Sequence, residues 1–194
     1  TGARYQEPGG LGGFADKIIL NQPARCGQNN FFHLLRTLYD FVTEEGQKGK
    51  KALPRQTDFF GVLDFVKRTL NQPCFIPVVS DFIGFEKALS SSVLRTVASR
   101  HELLFIFLDD PAEVLAAKGP GFIRIEDAET GRQLILSRNK MTKLEAELRE
   151  RRKNLRRELK GMGINSVVLE YGKHFQRLHR LFMRRHRFGF NSAI

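Results

Sequence analysis

Two rhythms of hydrophobic and polar positions run along this chain: short unbroken apolar runs, and longer stripes at helical spacing. Residues 9–20, GGLGGFADKIIL, read as two short extended pieces around Phe14-Ala15-Asp16. Residues 30–43 place apolar side chains at 31, 34, 35, 38, 41 and 42, which is one face of a helix. The polar stretch 44–57 holds two glycines and a proline and reads as an exposed loop. Asp58 is placed to cap a helix running to Leu70, with Phe59, Val62, Leu63, Val66 and Leu70 on one face. Asn71-Gln72-Pro73 ends it, and Cys74 to Val79, CFIPVV, is an apolar run suited to a strand buried on both sides. Ser80 to Gly84 forms a strand-to-helix turn, Phe85 to Arg100 a helix, and Leu103 to Leu108, LLFIFL, a second apolar strand. Residues 121–136 read as a hairpin turning at Ala128–Gly131. Ser137 or Asn139 caps a long helix to about Gly161, with apolar positions 141, 144, 148, 155, 159 and 162. Val167 to Leu169 is a third apolar strand, and a last helix spans Lys173 to Arg187.

Strands alternating with helices specify an α/β fold. The expectation is a three-layer, Rossmann-like arrangement: a mostly parallel sheet with helices on both faces, plus a small β-hairpin. Ligands of such sheets gather at the carboxyl ends of the strands. Asp81 and the Asp109-Asp110 pair fall there. A length of 194 residues suits one domain over 1–194.

Composition alters this picture in one place. The net charge is +11, yet residues 1–137 balance 16 cations against 16 carboxylates. Residues 138–194 carry 16 cations against five, so the whole excess sits in the C-terminal third. Arg177, Arg180, Arg184 and Arg185 belong to a segment, 173–187, without any acid. They are the candidate anion-binding or partner-binding residues, for phosphates of nucleic acid, lipid head groups or an acidic protein. The alternatives are a solvated helix face or packing. The chain has no apolar run long enough to span a membrane and no signal-peptide pattern, which points to the cytoplasm; a membrane anchor upstream of Thr1 is compatible with this. The two cysteines, Cys26 and Cys74, have no metal-ligand spacing and suit a reducing compartment.

Candidate chemistry is sparse. Asp81 is placed to cap the following helix or to bond neighbouring backbone. Asp109-Asp110-Pro111-x-Glu113 offers carboxylates for a metal or for acid/base work with Asp81, but Pro111 at a first helical position favours a turn and cap. His33, His101, His174, His179 and His186 make no zinc pattern and read as structural or surface groups. GGLGG at 9–13 lacks the Gly-Lys-Ser/Thr of a phosphate loop, and no Gly-x-Ser-x-Gly elbow occurs. No catalytic residue is assigned.

The segments GGFADKIILNQPARCGQNNFFHLLRTL, PVVSDFIGFE, SRHELLFIFLDDPAEVL and GFIRIEDAETGRQLIL, in this order, resemble a bacterial and archaeal family of von Willebrand factor A-like proteins, catalogued as domain of unknown function fifty-eight. The likeness runs from about Gly9 to about Phe188. It implies a von Willebrand A-type sheet and a non-catalytic protein-interaction module. It also implies a MoxR-type AAA+ ATPase as partner, in the assembly or maturation of protein complexes. The family's first strand, carrying Asp-x-Ser-x-Ser, and the helix after it have no counterpart here. Of the metal-ion-dependent adhesion site of such domains, Asp81 and Ser80 match, and no Thr stands near Gly27–Asn30. The resemblance therefore implies half a Mg²⁺ site, with no cofactor unless the missing motif is supplied. Binding through the basic C-terminal helices to nucleic acid or another anionic surface is the alternative function.

Overall fold

A computed structural model describes residues 7–48, 57–109, 121–126 and 133–170, together with 176, 178–180 and 182–183. Two compact units emerge: Thr1–Val66 with Ile125–Leu134, and Lys67–Arg124 with Ile135–Ile194.

In the first unit, β1 (Gly9–Phe14) and β2 (Ile18–Arg25) pair antiparallel. The two extended pieces read from sequence are thus the arms of a hairpin turning at Ala15–Lys17. A Cβ on Gly10 would lie 2.9 Å from the carbonyl oxygen of Gln22 and 3.0 Å from the nitrogen of Ala24, so glycine lets the strands close. Helix α1 (Gln28–Lys48) is held to the hairpin by Asn30, whose amide donates to the carbonyls of Gly9 and Arg25, both at 2.8 Å. It runs through Lys48, so the first residues expected in a loop are helical. Its apolar stripe is real but mostly faces solvent: Phe31, Leu35, Leu38 and Val42 are all exposed. Helix α2 (Phe59–Thr69) begins where Asp58 Oδ1 accepts from the Gly61 amide at 3.0 Å, the capping expected of Asp58. Phe59 packs edge-on against Phe14, with ring centroids 5.8 Å apart.

The second unit is built on three parallel strands in the order β3 (Phe75–Ser80), β4 (Glu102–Asp109) and β7 (Asn165–Glu170). The five strands expected from 9–20, 74–79, 103–108 and 167–169 do not share one sheet. The first pair closes on itself, leaving a three-stranded parallel core. Between β3 and β4 stand α3 (Glu86–Leu89) and α4 (Ser92–Arg100). One continuous helix over 85–100 was expected. Ser91 breaks it: its backbone is extended, and its hydroxyl accepts from the Leu94 amide at 3.1 Å, restarting the helix with an N-cap. Three serines in a row favour such side-chain to backbone bonds over helix propagation. β5 (Phe122–Glu126) and β6 (Gln133–Ser137) form a separate two-stranded sheet, while the turn expected at Ala128–Gly131 lies outside the described residues. Helix α5 (Arg138–Gly161) follows directly on β6. Gly163, at φ +76°, ends it, with the Ile164 amide returning to the Leu159 carbonyl at 2.9 Å. Of the helix expected over 173–187, the described residues between Gln176 and Met183 are helical.

Strand parity distributes the core. The Glu102 amide bonds the Cys74 carbonyl, so Cys74, Ile76, Val78 and Ser80 address β4 with their backbones. Pro77 addresses the outer edge, where its missing N–H interrupts no ladder bond. The sheet advances β3, β4, β7 in one direction, and right-handed crossovers then put α4 and α5 on a single face. That face carries Phe105, Phe107 and Ser166. On the other face Phe182 meets Phe75 with ring centroids 6.1 Å apart. The fully buried side chains Phe82, Phe85, Leu94, Val97, Leu104, Phe105, Phe107 and Leu159 all belong to this unit.

Candidate docking turn at the carboxyl end of the sheet

The turn begins where β3 ends. Ser80 is the last strand residue, in register with Phe107 of β4. Its hydroxyl accepts from the Phe82 amide at 3.0 Å, and Asp81 Oδ1 accepts from the Ile83 amide at 3.0 Å and stands 3.4 Å from the Ser80 hydroxyl. These short bonds take the place of the ladder that the strand has left. They hold Phe82 at φ +58°, the one non-glycine residue with positive φ among those described. A bulky residue in this region is a true outlier, and outliers of this kind persist where the surroundings over-determine them.

What over-determines this one is aromatic packing. Phe82 is 2% exposed, stacks on Phe105 at 4.9 Å with planes 5° apart, and meets Phe107 at 4.6 Å and Phe85 at 5.6 Å. The left-handed backbone turns the ring inward, so that Asp81 and Ile83 on either side point out to solvent. Val79, Ile83 and Leu108 stand around this end of the sheet at 53%, 56% and 50% exposure, an apolar rim beside the Asp81 carboxylate.

A second contact ties the turn's helix to α5. Arg151 and Glu86 form a two-pronged ion pair, Nη2 to Oε2 at 2.6 Å and Nε to Oε1. The guanidinium holds the Glu86 carboxyl below the usual range, against the opposing effect of burial. Glu86 in turn raises Arg151, and the charge of Asp81 adds to that rise, so Asp81, Glu86 and Arg151 form one electrostatic group. A groove of about 450 Å³ opens beside it, with Leu89, Leu155 and the carboxylates of Glu147, Glu150 and Glu158 in its walls.

Comparison with known proteins places the chain. Residues 3–158 match the model of the family described as protein of unknown function DUF58. The chain belongs to the DUF58 family. No curated protein matches this DUF58 chain. The crystal structure of an uncharacterized membrane spanning protein from Vibrio fischeri aligns over 91% of this chain and 75% of its own at 12% identity, with a TM-score of 0.25.

The Mg²⁺ half-site implied for Ser80 and Asp81 can be tested on their geometry. Mg²⁺ demands near-octahedral oxygen donors, usually from one or two carboxylates with waters. Here the Ser80 hydroxyl and Asp81 Oδ1 both accept from backbone amides. No group of three or more metal-ligating side chains converges among the described residues. These bonds serve the turn and leave Asp81 Oδ2 outside them, so the pair supplies one carboxylate and one hydroxyl, short of a full Mg²⁺ donor set. Asp110 and Glu113 lie outside the described residues, and Asp109 ends β4 in register with Glu170. Arg180 sits exposed on its helical segment, while Arg177, Arg184 and Arg185 lie outside the described residues.

Two features of this DUF58 chain went unread in the sequence. Arg151 and Glu86 are 65 residues apart, and nothing local links them. His101, read as structural or surface, is 5% exposed, and neither ring nitrogen has a partner among the described residues. Burial, helped by the charge of neighbouring Arg100, pushes its pKa down. No helix among the described residues is long and apolar enough to cross a membrane.

Proposed function

We propose that this DUF58 chain is a non-catalytic protein-docking module of von Willebrand A type, which engages its partner through the Ser80–Ile83 turn. The observation that carries this reading is the backbone of Phe82. Its left-handed conformation is held by two side-chain bonds and three aromatic neighbours, and it presents Asp81 and Ile83 on a rigid loop. A preorganised loop lowers the ordering cost of binding. An apolar rim around one charge is the composition of a small docking site, with a hydrophobic anchor for affinity and a polar group for orientation. The exposed apolar face of α1 supports an interaction role as well, since contiguous exposed apolar surface marks sites of association.

The non-catalytic part of the reading rests on the same bonds. The Ser80 hydroxyl accepts from the Phe82 amide, and among the described residues no histidine is hydrogen-bonded to it, the contact that would activate it as a nucleophile. The partner follows from the family resemblance: a MoxR-type AAA+ ATPase in the cytoplasm, working on the assembly or maturation of protein complexes. Binding of the purified ATPase to the immobilised chain, measured by biolayer interferometry, tests both parts. Ile83→Glu changes an exposed side chain and leaves stability within about 0.5 kcal/mol, yet weakens binding by roughly tenfold or more, about 1.4 kcal/mol. Unchanged affinity in this variant rules out the turn; no binding by the wild-type chain rules out the partner.

A further inference from the structure

Helix α5 sorts its charges around its axis. Leu155 and Leu159 are buried against the rest of the unit. One flank carries Glu147, Glu150 and Glu158 toward the groove that Arg151 and Glu86 share. At 100° per residue, the opposite flank carries Arg149, Lys153, Arg156, Arg157 and Lys160, all exposed. These five fall within twelve residues, Arg149 to Lys160, about 16 Å of helix. Among the described residues, Lys153 alone of the five meets a carboxylate, Glu150 at 3.4 Å. Arg156 donates to the Ser166 hydroxyl at 3.2 Å and Arg157 to the Asn154 side chain, contacts that orient the guanidinium groups without neutralising them. Cations three and four residues apart repel and weaken a helix. The helix dipole favours Lys160 in the last turn, but it gives no reason for Arg149 and Lys153 further back.

We propose that this stripe binds the phosphate backbone of a nucleic-acid duplex without reading its sequence. The composition of the stripe selects this partner. A protein interface needs apolar or aromatic anchors at its centre, and Thr142 and Ala146, which continue the same flank, supply none. A membrane-surface helix needs an apolar face to insert, and level with this stripe the apolar residues Leu155 and Leu159 are buried in the unit, while the exposed Leu144 and Leu148 lie on their side of the helix and not on the cationic flank. Single strands are held by stacking on aromatic rings, which the stripe lacks. A duplex backbone requires only a row of cations, and three arginines suit phosphate oxygens best. The surface is separate from the Ser80–Ile83 turn, so the two sites stand or fall independently.

Fluorescence anisotropy of the full chain with a labelled DNA duplex of arbitrary sequence, and in parallel with an RNA duplex of the same length, tests the proposal. Four phosphate contacts predict a loss of affinity on the order of 10²-fold between 50 and 200 mM salt. The more tightly bound duplex identifies the form preferred. The triple variant Arg149→Gln, Arg156→Gln, Lys160→Gln lowers the slope of log affinity against log salt by about 2.7, at about 0.9 per contact. The single reversal Arg149→Glu lowers it as well, and serves if the triple variant fails to fold. Absence of binding to either duplex at 50 mM salt overturns the proposal, as does an unchanged slope in both variants. Equal or tighter binding of polyglutamate, or of vesicles containing phosphatidylserine, overturns it in favour of an acidic polypeptide or a membrane.

Discussion

Phe82 offers the sharpest physical test, because its ring and its backbone contribute with opposite signs. The ring is nearly fully buried against Phe85, Phe105 and Phe107. Truncating it to alanine costs about 3–5 kcal/mol, as for other core phenylalanines. The backbone at φ +58° is unfavourable for any residue with a Cβ, by about 1–2 kcal/mol. Phe82→Gly loses the same ring but sheds that strain. At an ordinary helix or strand position glycine is less stable than alanine by roughly 0.5–1 kcal/mol, from unfolded-state entropy. Setting this against the relieved strain leaves Phe82→Gly more stable than Phe82→Ala by about 0.5–1 kcal/mol, an inversion of the usual order. Urea unfolding followed by far-UV circular dichroism measures it, since the chain has no tryptophan to report by fluorescence. The two variants must share an m-value for the comparison to hold. Phe82→Ala as stable as Phe82→Gly, or more so, refutes the left-handed turn and with it the preorganisation of the site.

Two further expectations concern titratable groups. Glu86 has a folded pKa below its unfolded value, so the stability it contributes is present above about pH 4.3 and is lost as pH falls through the lowered folded value. Both side chains of the Glu86–Arg151 pair are about two-fifths exposed, at 39% and 42%, which limits its worth. A double-mutant cycle with Glu86→Ala and Arg151→Ala should give a coupling of about 1 kcal/mol at neutral pH, and the coupling should vanish once Glu86 is protonated; a coupling that survives there points to packing instead. His101 also has a lowered folded pKa, so the unfolded chain takes up its proton first as pH falls below about 6.5, and stability drops. His101→Leu should flatten the urea midpoints between about pH 5 and 6.5, and it removes two buried nitrogens that have no partner among the described residues. A variant that keeps the wild-type pH dependence assigns it to another group.

Much of the fold was legible because its strands are unbroken apolar runs. CFIPVV and LLFIFL stand within one residue of β3 and β4; β4 is buried on both faces over Leu103–Phe107, whereas β3, expected to be buried on both sides, has Pro77 and Val79 exposed because it lies at the edge of the three-stranded sheet. Asp58 marked the helix start expected of it, and α5 ends at Gly161 as expected, through local chemistry that a sequence displays. The stripe of α1 predicted the helix but not its surroundings: periodicity says which residues share a face, not what covers that face. The break at Ser91 was missed because apolar spacing continues across it, while a hydroxyl bond decides it. The turn lock at Ser80 and Asp81 was legible in part, since bonding of Asp81 to neighbouring backbone was one of the readings its position offered. The left-handed Phe82 was not legible, because phenylalanine carries no preference for that conformation and the ring stack that imposes it comes from residues more than twenty positions away. Arg151 was hidden for the same reason: it is one of ten cations between 138 and 160, and only the tertiary fold singles it out.

Hydrogen exchange of the chain with and without the purified MoxR-type ATPase tests the docking reading most directly. Slower exchange at the backbone amides of residues 80–85, with β1 and β2 unchanged, is the expected result. Exchange at 80–85 that stays the same while another segment becomes protected, under conditions where the two proteins are shown to bind, would contradict it.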